Sequence, residues 1–552
     1  MKKLALLLLV LMTCGLAQAQ LADGIYWVQF ADKNDSPYSI DNPEAFLSQR
    51  ALDRRARLGI AIDAYDIPVN PQYLQAVANC GVELLNPSKW LNGVTVYTTD
   101  PSTIDAINAL DFVVTVRNCP HNAKAQEAKE RWMSQEMRIP EGQPQVFRDY
   151  YGGAHDQAYQ LRVNELHDMG FDGTGVVIAV LDGGFETADQ YTFFNDMVED
   201  GRLLGVRDFV YGSTSVYTQS HHGTSCLSTM AAYQPETFVG TAPMASYYLL
   251  HTEDGSMESI VEEYNWVSGA EYADSLGVDV CSTSLGYVDF DVMTNWDHFF
   301  EDFDGQTAPM TIGAEIAASR GMVCMNAAGN DGGGECTLGI PADAEHILTV
   351  GAVNADGERA SFSSVGPTYD GRIKPDVMAM GEGTYVASGW PSWFPFWNGD
   401  GTSFACPVLA GAVACLRQAR PDASVQEICD AVRQSGNRAD NPDSYYGYGI
   451  PDFVVALGAL PTHVDDTFVQ KDEIITAFPN PAKGNVCVSL KEGYQAELTV
   501  YDIMGRQLTA YHFNGLNHTS LENYLNNLDA GVYFIQATSE LGSQTLKLVI
   551  TK

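Results

Sequence analysis

Positive charge is scarce in this chain: 31 Lys and Arg stand against 70 Asp and Glu across 552 residues, a formal net charge of −39. A field of that sign repels phosphate backbones and excludes nucleic acid as a partner. Long apolar runs are also few. The one at residues 4–12 is about half of the roughly 20 residues that cross a bilayer, and no later run reaches that span, so no integral membrane protein is expected. The eleven cysteines contain no CxxC pair, which argues against a zinc ribbon or a small disulfide framework. Neither HExxH nor GxSxG occurs, which removes the zincin and α/β-hydrolase signatures. What is present is a folded composition, 45% hydrophobic and 11% aromatic. At about 150 residues per domain, the length allows three or four domains.

The start reads Lys2-Lys3, an apolar run, then Ala17-Gln18-Ala19, the order of a secretory signal with cleavage after Ala19. Cys14 lacks the preceding small residues of a lipoprotein site. Of the ten cysteines that remain, Cys281, Cys324, Cys406 and Cys415 lie in apolar contexts and are expected as buried thiols. Cys80 and Cys336 sit beside glycines and are the better disulfide candidates.

The segment 20–120 alternates short strands with helices. A strand is expected over 25–30, a helix opening at Asn70-Pro71 and stopping at Gly81, strands over 82–85 and 94–98, a helix after Ser102, and a strand over 112–116. That order is β-α-β-β-α-β, with a helical insertion around 43–57. Its basic cluster (Arg50, Arg54, Arg55, Arg57) reads as a solvated helix face, with a processing site as the alternative. Residues 121–148 are polar and end in two prolines, as an exposed linker or a connecting surface helix would. Over 149–460 buried apolar runs alternate with helical stretches, the pattern of an α/β parallel sheet. A second linker follows at 461–474, and 475–552 has the alternating strands of a small β-sandwich.

Four short signatures in the α/β region carry chemistry. A strand over 177–181 ends in Asp182-Gly183-Gly184, at the end where open parallel sheets build sites. Ser220-His221-His222-Gly223-Thr224 places an imidazole at a helix start. Met325-Asn326 leads through Gly329 to Asn330-Asp331-Gly332, an amide in a glycine-rich loop. Gly401-Thr402-Ser403 runs into an apolar helix, where free backbone N–H groups and the positive end of the helix dipole surround a serine. Singly, each has an ordinary reading as a strand end, a core or metal-binding histidine, a turn, or a helix cap. Together, in the order Asp, His, amide, Ser, they resemble the subtilases. Ser284-Leu285-Gly286 is similar to that family's substrate-cleft strand, and Lys374-Pro375-Asp376-Val377 with Gly381 to the segment before its nucleophile. Two departures stand out: Gly183 replaces the usual Ser or Thr, and Ser225-Cys226 replaces commoner apolar residues.

The resemblance implies a secreted serine endopeptidase with Asp182, His222 and Ser403 as triad. It places Asn330 and the Ser403 backbone N–H as oxyanion hole, and Ser284, Leu285 and Gly286 as substrate-binding residues. No cofactor is needed for the chemistry and no metal ligand is assigned. Structural calcium is allowed by the family, and the acidic stretch 289–304 is one candidate loop although it lacks EF-hand spacing. The N-terminal segment resembles a ferredoxin-like propeptide that blocks the cleft until cut away, with 121–148 as the expected site of the cut. In the C-terminal segment, Phe478-Pro479-Asn480-Pro481, Tyr501-Asp502-Ile503-Met504-Gly505-Arg506 and Gly531-Val532-Tyr533 resemble the sorting domain read by type IX secretion machinery. An adhesive or carbohydrate-binding sandwich is the alternative there. The implied partners are therefore protein or peptide substrates and that machinery, with export through the periplasm and outer membrane to the surface or medium. The competing class is a non-catalytic surface-binding protein on a protease fold.

Overall fold

The computed structural model describes residues 24–119, 149–291 and 296–461, together with 475–478, 487–490, 496–502, 506–513, 525, 527–539 and 542–551. The expected leader 1–19, the linkers at 121–148 and 462–474, and the C-terminal motif residues 479–482 and 503–505 lie outside these. The chain forms two compact units, Met1–Pro461 and Thr462–Lys552.

The first unit opens with an α+β domain. Strands β1 (Gly24–Phe30), β2 (Glu83–Ser88), β3 (Gly93–Thr98) and β4 (Val113–Cys119) form an antiparallel sheet in the order β2-β3-β1-β4. Helix α1 (Gln49–Arg57) is the insertion, and α2 (Pro71–Ala78) and α3 (Ser102–Asn108) are the crossovers of a ferredoxin-like order. The Asn70 side chain accepts from Gln72 N (2.8 Å) and Pro71 occupies the first turn, so α2 begins where its cap dictates. Tyr26, Val28, Phe30, Val94 and Val96 form the small core, while Trp27 faces the other way and stacks on Tyr264 of the next domain at 4.4 Å.

The basic cluster does not behave as the sequence suggests. Arg54 and Arg55 are each 1% exposed, so they form neither a solvated face nor a processing site in this state. Arg54 Nη2 lies 2.5 Å and Arg55 Nη2 2.9 Å from Asp274 Oδ1, and Lys89 Nζ reaches Asp274 Oδ2 at 3.2 Å. Arg50 pairs with Asp279. Glu271 receives Ser88 Oγ (2.5 Å) and the Lys89 and Trp90 backbone N–H groups (2.7 and 2.9 Å). Buried cations persist only when paired; here Arg55 also meets Asp66 at 2.7 Å, and the other partners, Asp274 on the helix Val261–Leu276 and Asp279 just beyond it, are remote in sequence.

The second domain is built on seven parallel strands: β5 (Val177–Asp182), β6 (Leu203–Asp208), β7 (Ser246–His251), β8 (Val280–Thr283), β9 (Val323–Ala327), β10 (Leu348–Val353) and β11 (Val377–Met380). Their order is β11-β10-β9-β8-β5-β7-β6. Most are buried along their whole length, as a sheet covered on both faces requires. The chain first runs from β5 to the edge strand β6, then lays β7 between the two, and returns to place β8 on β5's other side. Helices α4 (His222–Ala231), α5 (Val261–Leu276), α6 (Pro309–Ser319) and α7 (Thr402–Ala419) cover the faces, and β12 (Thr384–Trp390) and β13 (Phe394–Gly399) form a separate hairpin.

The C-terminal unit holds a two-stranded antiparallel sheet, β14 (Ile475–Phe478) with β15 (Cys487–Leu490). Its second sheet has β16 (Ala496–Asp502), β17 (Gln507–Phe513), β18 (Gly531–Ser539) and β19 (Gly542–Ile550) in the order β17-β16-β18-β19. Leu498, Val500, Ile535, Ala537 and Leu548 form its core. All nine cysteines whose side chains are described are free, Cys80 and Cys336, the better bridge candidates, among them. No helix among the described residues is long and apolar enough to cross a membrane.

Candidate active site

Open parallel sheets leave a crevice at the carboxyl ends of their strands where the winding direction switches. Here the switch lies between β5 and β8, and β5 ends in Asp182 while β8 leads directly into Ser284. Asp182 is buried, and its Oδ1 accepts from Gly183 N (2.8 Å) and faces His222 Nδ1 at 2.7 Å. A carboxylate oxygen accepts, so Nδ1 carries a proton, and in the neutral ring Nε2 is the nitrogen that holds the lone pair. Asp182 Oδ2 is buried without a hydrogen-bond partner among the described residues. Gly183 supplies a backbone N–H and no hydroxyl, so the under-satisfied oxygen leaves this carboxylate's charge bearing on the imidazole. Burial opposes protonation of His222, but the Asp182 charge outweighs it and holds the imidazole pKa well above its ordinary 6.5.

His222 opens α4, whose first turn is held by Ser220 Oγ accepting from His222 N (3.1 Å). One turn on, Cys226 places its sulfur against the same ring. Burial pushes that thiol up to about 11, so it remains protonated and donates to the Ser403 carbonyl at 3.3 Å.

Ser403 is the second residue of α7 and is buried beside the cleft. Pro407 lies four residues on and has no N–H to give the Ser403 carbonyl its usual helical partner. That oxygen instead accepts from Ser284 Oγ at 2.8 Å as well as from Cys226. The Ser403 hydroxyl is turned toward the Ser284 carbonyl (3.5 Å). Catalytic hydrogen bonds commonly tighten only around a substrate.

Asn330 sits in the loop after β9. Its Oδ1 accepts from Thr402 N (2.9 Å) and Thr402 Oγ1 (3.0 Å). Because the Thr402 N–H is a donor, the contacting atom is the oxygen, and the NH₂ is the end left to face the cleft. Gly381 lets the chain before the nucleophile approach closely, its carbonyl receiving Gly401 N at 2.7 Å.

Asp182, His222, Asn330 and Ser403 line one cleft with Ser284, Leu285 and Gly286, and with Glu253, Glu258 and Asp331 at its acidic margins. A second cavity of about 370 Å³ shares Gly286, Val288, Glu258 and Asp331 and extends to His298 and Phe300. Every candidate residue read from the sequence therefore converges. Sequence reasoning missed Thr402 as the clamp on Asn330, Cys226 and Ser284 as holders of the Ser403 carbonyl, and Pro407 as the reason that carbonyl is free. Only the proline left a readable signal, a helix breaker inside an apolar helical run. In the acidic loop Asp297 accepts from Phe290 N, Asp302 from Phe299 N and Asp304 from Gln306 N and Thr307 N. Residues 292–295 of that loop lie outside the described ones. Among the described residues, the one grouping of three His, Cys, Asp or Glu side chains close enough to share an ion is Asp182, His222 and Cys226.

Residues 173–449 match the Subtilase family. The chain is a subtilase. Its subtilase domain is similar to Subtilisin NAT of Bacillus subtilis subsp. natto, at 32% identity over 299 residues, which is 53% of this chain and 68% of that protein. Subtilisin DY of Bacillus licheniformis is 31% identical over 294 residues, 52% of this chain and 93% of that protein. Residues 25–134 match the Peptidase S8 propeptide domain of Bacteroidota, and 476–551 match a secretion system C-terminal sorting domain. This subtilase is a serine endopeptidase with a propeptide domain. Its type IX sorting domain indicates secretion or cell-surface localisation via the outer membrane.

Proposed function

We propose that Ser403 is the nucleophile of peptide-bond hydrolysis through an acyl-enzyme, with His222 as general base and acid and Asp182 as its orienting carboxylate. The observation that carries this is the 2.7 Å Asp182–His222 hydrogen bond, which in the neutral imidazole keeps the proton on Nδ1 and leaves Nε2 as the basic nitrogen beside the cleft that Ser403 lines. A serine hydroxyl is a weak nucleophile, so His222 takes its proton during attack and returns it to the leaving amine. Asp182 fixes the tautomer and stabilises the imidazolium. Asn330 Nδ2 and the Ser403 backbone N–H receive the developing oxyanion, held in advance because Thr402 pins the amide's other end. The edge at 284–286 aligns the substrate's acyl side, with Ser284 also buttressing the nucleophile. Water then releases the acyl group, and these side chains complete the cycle without a cofactor.

The domain limits that accompany this reading are a leader at 1–19, propeptide at 20–120, linkers at 121–148 and 461–474, catalytic domain at 149–460 and sorting domain at 475–552. Strand β4 brings the propeptide chain to Trp296 of the subtilase domain, where the Arg117 guanidinium lies 5.7 Å from the indole centre. That placement supports a propeptide whose continuation is cut within 121–148 to open the cleft, and export by the type IX machinery as its partner. The deciding experiment is fluorophosphonate labelling of the secreted, processed protein alongside Ser403→Ala. Labelling mapped to Ser403 and absent from the variant is expected. A folded, propeptide-free sample that takes up no label would sink the mechanism.

A further inference from the structure

The hairpin of β12 and β13 has two unlike ends. Its base is core: residues 384–388 are buried, Val386 packs with Cys226 and Phe404, and Trp397 joins them. The Phe404 ring lies 6.1 Å from that of His222, so this base backs the catalytic imidazole. Its tip is the reverse. Trp390 pairs with Phe394 across a turn at 391–393, closed by Trp393 N donating to Trp390 O (3.2 Å). Trp393 is 90% exposed, Phe394 57% and Trp390 54%. Pro391 and Pro395 fix φ on either side of Trp393 and Phe394, so the aromatics stand on a stiff turn. Trp390 has the His221 ring as a neighbour, whereas Trp393 and Phe394 stand mostly in solvent, and contiguous exposed aromatics of this kind mark binding surfaces.

The tip's position identifies its occupant. Gly389 lies so close to His221 that a Cβ there would stand 3.0 Å from the imidazole ring, and the Trp390 ring is centred 6.0 Å from it. His221 directly precedes His222. A substrate whose acyl side follows 284–286 crosses Ser403 and then passes the His222 imidazole, which must reach the leaving amine. Next to that imidazole lie His221, with the Trp390 ring beside it, and Phe404, packed on the hairpin's base. Residues 384–399 contain no charged side chain, so recognition there rests on apolar burial, without cations for phosphate or anionic lipid headgroups.

We propose that the Trp390, Trp393 and Phe394 tip is a docking site for the polypeptide substrate, receiving an aromatic or bulky apolar residue on the leaving-group side of the scissile bond. The proposal rests on the catalytic reading of Ser403 and His222, and its test separates the two. Processed enzyme, Trp393→Ser and Phe394→Ser are compared on a peptide p-nitroanilide, which has no residue beyond the cleaved bond. They are also compared on two internally quenched peptides that share one acyl side and carry either Phe or Ser at the second to fourth positions after that bond. The variants should match the parent on the nitroanilide within about twofold. On the Phe peptide they should lose about tenfold in kcat/KM, mostly through KM, and on the Ser peptide under about twofold.

Equal parental kcat/KM for the two peptides overturns the proposal, as does an equal loss on the nitroanilide. Flotation of Ser403→Ala with phosphatidylcholine vesicles adds the remaining arm. Vesicle binding that depends on Trp393, with peptide kinetics unchanged, would give the tip to a lipid surface and overturn the substrate assignment. A parent that neither cleaves the nitroanilide nor takes up fluorophosphonate would remove the catalytic reading and the proposal together.

Discussion

Two buried aspartates in this subtilase have opposite surroundings. Asp182, in the cleft, has one imidazole and one backbone N–H, with Oδ2 left bare. Asp274, where the propeptide domain docks, meets Arg54, Arg55 and Lys89 from that domain. The first carboxylate is under-compensated, so its charge acts on a proton. The second is over-compensated, so its charge holds two domains together. Burial resists ionisation of Asp274, but Lys89, Arg54 and Arg55 outweigh it and keep its carboxyl below the ordinary 3.8.

The strongest way to break the contrast is to neutralise the cleft carboxylate. Asp182→Asn should lower kcat by about 10⁴-fold, through loss of tautomer and imidazolium stabilisation. Its pH profile sharpens the point. His222 acts as base only when neutral, and its raised pKa sets the acid limb of kcat/KM above 6.5, with activity rising as pH increases through it. In the variant the limb should move to lower pH, and an unmoved limb would detach the shift from Asp182. The linked stability runs the other way: the Asp182–His222 pair contributes fully below pH 6.5 and fades as pH rises through the raised pKa. Asp274's contribution is present above about pH 4 and fades only as pH falls through its own lowered value.

Asp274→Ala should instead leave the isolated processed enzyme's kinetics unchanged. It should weaken rebinding of separately added propeptide domain by about 3–5 kcal/mol, because Arg54 and Lys89 lose their buried carboxylate while Arg55 keeps only Asp66. Titration calorimetry checks this, and undiminished affinity would reassign the interface to its apolar contacts. Asn330→Ala should reduce kcat by about 10²–10³ with KM little altered, since the amide acts on the transition state. Thr402→Val is the mildest: removing one hydroxyl that steadies Asn330 should cost up to about tenfold in kcat. Equal losses in the two variants would mean that the Thr402 N–H contributes nothing to holding the amide.

What could be read from the sequence follows the range of the interactions. The caps at Asn70-Pro71, the all-apolar strand ending at Asp182 and the serine at a helix start are local signals, and each appears where expected. The propeptide strands run one to three residues longer than their apolar cores because hydrogen-bonded pairing extends past them. The basic helix is not a solvated face because it meets Asp66 nearby and Asp274 and Asp279 far along the chain, and amphipathic spacing does not distinguish water from a carboxylate-lined face. Cys80 and Cys336, the better bridge candidates, are free: glycines nearby suggest a loop but do not bring two sulfurs together. The catalytic set was legible because each member sits at the end of a regular element. Its supports were not, since Thr402, Ser284 and Cys226 act across elements.

Pro407 gives the nucleophile an unusual dependence. By withholding one N–H it opens a vacancy at the Ser403 carbonyl, which is filled from the end of β8 and from α4. Three segments separated by scores of residues thus register on one oxygen atom. A chain with all its helices and strands formed, but with any one of these segments unseated, would look native to far-ultraviolet circular dichroism and yet hold its serine loosely. For this enzyme, turnover reports that the last tertiary contacts have closed, and it does so more stringently than secondary structure can.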